Sequence, residues 1–278
     1  MTALGDLVAS RELLVNLTLR EVRGKYKRTA LGQGWSLLNP VATLAIFSLV
    51  FGVLLQTHVP AGDPSGLDVF ALFLACGLLP WTFFSGALSA GMGALVLNAG
   101  LVKKVYFPRE VLVTSTVLSF VVTFLTELGV LTVLLLVFGG RPLLYLPLVL
   151  VVVALLAGFA LGLGLVLSIA NVYFRDTSYL VALLLQFWFY LTPVVYPASL
   201  VDDAVVRRGG LHVLGVPAQT LYRLNPMERF IALFRALLYD GRLPGAGDWL
   251  GAVVATGVVL ALGVVVFRRF SPRLAEEL

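Results

Sequence analysis

The chain has 278 residues, of which 59% are hydrophobic and only 13% charged, with a mean hydropathy of +0.98. Soluble domains carry roughly 45–50% apolar and about 25% charged residues, so the composition excludes a soluble enzyme and a disordered chain alike. One cysteine (Cys76) and two histidines (His58 and His212) exclude a disulfide framework and leave no basis for a metal site, and the net charge of +5 is to be read against a membrane.

Residues 1–35 are polar and basic and carry no secretory cleavage pattern, so the first apolar run is expected to stay in the membrane. Ser10 is placed to cap a helix, with Glu12 in its first turn. Val15, Leu19, Val22 and Tyr26 share one face, and Asn16, Arg20, Arg23 and Lys27 form a stripe beside it. This predicts an amphipathic helix on the inner leaflet, the alternative being an ordinary basic flank. Six runs then reach the length of a membrane span: 36–55, 69–97, 111–138, 143–170, 179–200 and 249–267. They are apolar on both faces, which argues against barrel strands. Glu127 is the one ionisable side chain inside them. Gly158 and Gly162 have the spacing that lets two helices approach closely.

Between the second and third runs, segment 98–110 is short and basic, with Pro108 as a stop. Its adjacent Tyr106 and Phe107 favour a protein partner over a merely solvated loop. In the fifth run, Phe187, Trp188, Phe189 and Tyr190 join Trp81, Phe83 and Phe84 as an aromatic group. They read either as interface anchors or as a channel lining that sugars slide along. Segment 201–248 contains a helix start at Asn225, Pro226 and Glu228 and a stop at Gly241. Phe230, Ile231, Leu233, Phe234, Leu237 and Leu238 make that helix apolar, but its rise of about 21 Å is too short to cross. It is expected to be a surface or re-entrant helix.

With both termini inside, inner segments hold 13 basic residues, including all four lysines, and outer segments hold 7. The positive-inside rule therefore places both termini in the cytoplasm. No phosphate-binding loop, zinc-protease motif or Ser/His/Asp cluster is present, so no catalytic residue is assigned, nor any role with nucleic acid.

Several motifs then fall in one order. They are Arg11-Glu12-Leu13-Leu14, Arg20-Glu21, Tyr26, and Leu31-Gly32-Gln33-Gly34-Trp35-Ser36-Leu37-Leu38-Asn39-Pro40. Lys103-Lys104-Val105-Tyr106-Phe107-Pro108-Arg109-Glu110, Arg175-Asp176 and Leu191-Thr192-Pro193-Val194-Val195-Tyr196-Pro197 follow, then Asn225-Pro226, Phe230 and Arg235. The set resembles the permease subunits of type-2 ABC exporters for polysaccharides such as O-antigens, capsules, teichoic acids and cell-wall galactan. The resemblance implies an all-α integral membrane protein of the plasma membrane, with six transmembrane helices, a cytoplasmic amphipathic N-terminal helix (1–35) and external helices before the last span. It implies a homodimer, and two copies of a separate ABC ATPase that bind the ATP and Mg, with no cofactor on this chain. Coupling to the ATPase would run through Leu101, Val102, Lys103, Lys104, Val105, Tyr106, Phe107, Pro108, Arg109 and Glu110. The loop of Leu31 and Gly32 would lie where a lipid-linked pyrophosphate glycan engages. Arg23, Lys27 and Arg28 could hold its pyrophosphate through charge-assisted hydrogen bonds, or else meet anionic lipid headgroups. Spans one and five would line the pathway, with Phe187, Trp188, Phe189 and Tyr190 facing it.

Three other readings compete. A type-2 ABC permease for drugs or lipids would share the six spans. A membrane-embedded polyprenyl-sugar transferase would need paired acids near an interface, for which adjacent Asp202 and Asp203 are thin support. An ion-coupled transporter would show a repeat and more than one buried acid.

Overall fold

A computed structural model of the chain describes residues 10–25, 32, 34–54, 59–105, 107–200, 212–213 and 216–278. Their long apolar runs form helices, which satisfy every backbone group internally. In chain order these are α1 (Arg11–Lys25), α2 (Gly34–Phe47, widening into a π-helical stretch over Ser48–Leu54), α3 (Phe70–Leu97) and the short α4 (Ala99–Lys104). Then come α5 (Glu110–Val137), α6 (Leu146–Tyr173), α7 (Thr177–Leu191) and α8 (Ala218–Arg223). The chain ends with α9 (Pro226–Phe234, continuing as a π-helix over Arg235–Asp240), α10 (Ala246–Phe270) and α11 (Leu274–Glu277). The only strand pairing among the described residues is a two-residue antiparallel bridge, His212–Val213 with Val216–Pro217.

Four described helices are long and apolar enough to cross a membrane: α3, α5, α6 and α10. They match the second, third, fourth and sixth runs read from the sequence to within a few residues. The other two apolar helices are shorter. In particular, the fifth run does not continue as helix to residue 200. α7 stops at Leu191, and its 15 residues rise about 22 Å, less than the roughly 30 Å of a hydrocarbon core. Pro193 explains the stop, because it removes a backbone donor and disfavours helix in the residue before it.

α6 packs against both α3 and α10. The α6–α10 crossing is as close as glycine allows: a Cβ on Gly162 would lie 2.6 Å from the Val259 carbonyl oxygen and 2.7 Å from Leu260 Cα. A Cβ on Gly263 would strike the backbone of Gly162 in turn. The small-residue spacing at Gly158 and Gly162 therefore serves packing within the chain. Thr256 Oγ1 adds a bond to the Leu155 carbonyl (3.1 Å).

Two apolar clusters result. The larger one joins α3, α5, α6 and α9 through residues such as Phe84, Phe124, Phe159, Phe230 and Phe234. The smaller one gathers Leu17, Leu95, Val102, Val111, Leu112, Phe267 and Leu274 at one end of the bundle. That end also carries Lys103, Lys104, Arg109, Arg268 and Arg269, and is called the basic end below. At the far end, Tyr239 Oη donates to the Leu67 carbonyl (2.8 Å) and Tyr145 Oη to that of Gly241 (2.7 Å). α9 starts and stops where its sequence signals lie. Asn225 Oδ1 accepts from Met227 N (3.1 Å), and Gly241 takes the left-handed conformation at φ +69°. Met227, Phe230, Ile231, Leu233 and Phe234 are wholly buried. α9 is thus sunk into the bundle rather than laid on its surface.

Candidate coupling and translocation sites

At the basic end, the segment expected to meet a partner divides into two faces. Val102 is buried in the small cluster and Phe107 packs against it, with Leu101 beside them. Lys103, Lys104 and Val105 are exposed, while Pro108, Arg109 and Glu110 are half-buried. Phe107 therefore points inward and does not carry the partner argument; Tyr106 lies outside the described residues. Arg109 donates to the Ser271 carbonyl, which ties this segment to the end of α10. Asn98, between α3 and α4, accepts from Arg20 Nη2 of α1 at 2.8 Å.

α1 packs on the protein through a face other than the stripe read as membrane-facing. Leu17 is buried, and Leu13 and Leu14 pack against the same cluster. Val15 and Leu19, read as the membrane-facing stripe, are 55% and 44% exposed. α1 has apolar residues on two sides, and a single-face reading picks only one. It leans along α5, where Lys25 Nζ sits 3.3 Å from the centroid of the Phe120 ring. Phe120 lies ten residues into α5, about 15 Å along its axis. A Cβ on Gly86 would come within 2.7 Å of that ring, so a larger residue on α3 would displace Phe120. Burial lowers the Lys25 ammonium to about 8, and Glu21 and Glu127 pull the other way.

Glu127, the acid inside the third run, is buried. It stands in the wall shared by two cavities of about 350 and 330 Å³ between α2, α3 and α5. The first of these also holds Trp35, Thr43, Thr82 and Thr123. Of the five residues assigned to pyrophosphate, Arg23 is exposed on α1 and Gly32 adopts φ +53°, ahead of α2. Lys27, Arg28 and Leu31 lie outside the described residues, as do Tyr26, Asp202 and Asp203.

The four aromatics of α7 do not share a face. Phe187 and Tyr190 are 70% and 65% exposed. Trp188 turns inward, edge-on to Trp81 at 6.2 Å and to Phe84 at 5.2 Å between centroids. Phe189 meets Trp81 at 5.6 Å and Phe47 at 6.5 Å. Consecutive helical residues lie about 100° apart, so a run of four cannot line one surface. The channel-lining role therefore cannot belong to all four, and Trp188 and Phe189 serve packing within this chain.

Asn225 and Arg235, named in the sequence as a helix start and as a motif member, also hold the end of α7. Asn225, besides capping α9, accepts from Trp188 Nε1 (2.7 Å) and donates to Thr192 Oγ1 (2.9 Å). Arg235 Nη1 donates to the Pro193 carbonyl (2.6 Å) and Nη2 to that of Val194 (2.7 Å). The guanidinium carbon stands 3.7 Å above the Phe73 ring, and only glycine at position 77 leaves it room. The signals for Asn225 and Arg235 in the sequence are the helix start at Asn225 and the place of both residues in the ordered motif set.

The sequence profile of the ABC-2 type transporter family matches residues 12–239, from α1 to the end of the buried far-end helix. The chain belongs to the ABC-2 type transporter family. It is a permease subunit of that family and not an enzyme, and the family's ATPase is a separate chain. The chain is 34% identical over 255 residues to the O-antigen export system permease protein RfbA of Myxococcus xanthus, covering 92% of this chain and 90% of that one. It is 27% identical to the protein of the same name from Klebsiella pneumoniae, over 96% and 95% of the two chains. It is also 24% identical to the polysialic acid transport protein KpsM of Escherichia coli, over 91% of each. The profile match runs through α1, the basic segment, α7 and α9 alike. These are the elements whose geometry is described above.

Proposed function

We propose that this ABC-2 permease moves a polyprenyl-pyrophosphate-linked polysaccharide out of the cytoplasm, driven by ATP hydrolysis on a separate ABC ATPase. The single observation that carries this is the full-length similarity to permeases named for O-antigen export. The chain crosses the plasma membrane six times, with α2 and the α7 region joining the four long helices, and both termini are cytoplasmic. The charge distribution supports that orientation, since all four lysines fall on the inner side. Two copies form the pathway, and two ATPase copies, which hold the ATP and Mg, dock at the basic end.

The exposed Lys103, Lys104 and Val105 offer the ATPase a surface, and Val102, Phe107 and Arg109 anchor that surface to the bundle. Movement there reaches α1 through Arg20 and Asn98, and reaches α10 through Arg109 and Ser271. The exposed Phe187 and Tyr190 face the pathway. Arg23, Lys27, Arg28, Leu31 and Gly32 form the pyrophosphate entrance at the inner surface.

Deleting the gene tests the substrate. Full-length glycan is expected to collect inside the cell and to vanish from its surface. Normal surface glycan with raised sensitivity to drugs would overturn this reading in favour of a permease for drugs or lipids.

A further inference from the structure

Glu127 has no part in coupling, in the pyrophosphate entrance or among the aromatics of α7. It lies within the apolar length of α5, where an acid is costly to keep and calls for a partner. Among the described residues it makes no hydrogen bond and no ion pair. Lys25 is the one charge that acts on it, and only at a distance, because that ammonium is held over the Phe120 ring. Glu127 keeps 9% of its surface open, and it lines both cavities between α2, α3 and α5. The two share Pro40, Leu79 and Glu127, so they adjoin at the carboxyl group. Each has the volume of a small-ligand cleft, for which about 300–1,000 Å³ is usual.

The two cavities differ in what they offer. The first has a polar wall and an aromatic one. Thr82 and Thr123 spend their hydroxyl protons on the carbonyls of Leu79 (2.9 Å) and Ser119 (3.3 Å), which leaves lone pairs to accept. With Glu127 they make a wall that accepts hydrogen bonds and carries a negative charge. Trp35, Phe83, Phe120 and Phe124 supply aromatic surface, and Lys25 over Phe120 shows that an ammonium is accommodated there. The second cavity is apolar, with Leu44, Leu72, Ala75 and Leu131 in its walls. Val41, Val130 and Leu134 also line it, at 50%, 36% and 40% exposure, so its mouth is open to the bilayer.

We propose that this pair of cavities binds an amphiphile with a protonated amine head and an apolar tail, taken up from the surrounding bilayer. The head meets Glu127 through a charge-assisted hydrogen bond, and the tail fills the second cavity. A carboxylate or phosphate head would be repelled by Glu127, and an alcohol would gain a hydrogen bond without the charge. The site goes beyond the exporter reading and does not depend on which polymer the permease moves.

Scintillation-proximity binding of tritiated decylamine to the full chain in nanodiscs tests it. Saturable binding above empty nanodiscs is expected, and unlabelled decylamine should displace it at least fivefold better than decanol or decanoate. Glu127→Gln should lower the saturable binding at least fivefold. Val130→Phe, at the exposed mouth, should lower it as much while leaving the carboxyl group in place, so the test stands even where the first variant fails to fold. The absence of saturable binding would overturn the site and leave the cavities to a second copy of the chain. Equal displacement by all three compounds would overturn the amine preference in favour of apolar chains at large. Binding that survives either folded variant would overturn the placement at Glu127.

Discussion

The two ends of this molecule add different things to their apolar packing. At the far end, buried polar groups are added: Arg235 gathers the carbonyls of Pro193 and Val194, and Asn225 binds Trp188, Thr192 and the start of α9. At the basic end, an apolar cluster around Leu17, Val111 and Phe267 holds the helices, and most of the charges stay on the surface. Buried polar bonds are directional and leave little freedom, whereas the exposed charges at the basic end remain available to a partner. The far end is thus built to keep one arrangement within the chain, and the basic end to meet another protein.

Arg235→Met should break the contrast most severely, costing about 3 kcal/mol because buried carbonyls lose a charged donor. Thermal melting in detergent measures it. Arg235→Lys is expected to recover only part, since a point charge cannot replace the guanidinium fork. Asn225→Ala should cost about 2 kcal/mol, through the lost cap and the stranded Trp188 indole. Melting again reports the loss, and a red-shifted tryptophan emission should accompany it. At the basic end, Arg20→Ala removes an exposed bond to Asn98 and should cost under about 1 kcal/mol. Lys103→Glu with Lys104→Glu should leave the melting temperature nearly untouched, within about 0.5 kcal/mol, yet abolish co-purification with the ATPase. A double variant that melts early instead would show that these lysines hold the fold, and the contrast between the ends would fail.

Local chemistry made part of this legible in the sequence. Asn225, Pro226 and Gly241 marked both ends of α9 because caps and left-handed stops act within a few residues. Apolar length found α3, α5, α6 and α10. The spacing of Gly158 and Gly162 announced a close crossing, although only the fold shows α10 as the partner. What depends on distant partners stayed hidden. Lys25 over Phe120 joins residues far apart in the chain, and no pattern in α1 points to it. The burial of Leu17 rather than Val15 depends on which of two apolar stripes meets the cluster. Phe187, Trp188, Phe189 and Tyr190 read as one group by composition, and the helix divides them. The end of α7 is hidden from hydropathy because Val194, Val195 and Tyr196 extend the apolar run past Pro193, where hydropathy continues and helix does not.

The most direct measurement of the central claim is the ATP hydrolysis rate of the permease–ATPase complex in nanodiscs, with and without lipid-linked glycan. A stable complex, stimulated severalfold by the glycan and uncoupled by Lys103→Glu with Lys104→Glu, is the expected result. Glycan export that persists while the chain associates with no ATPase would contradict the account.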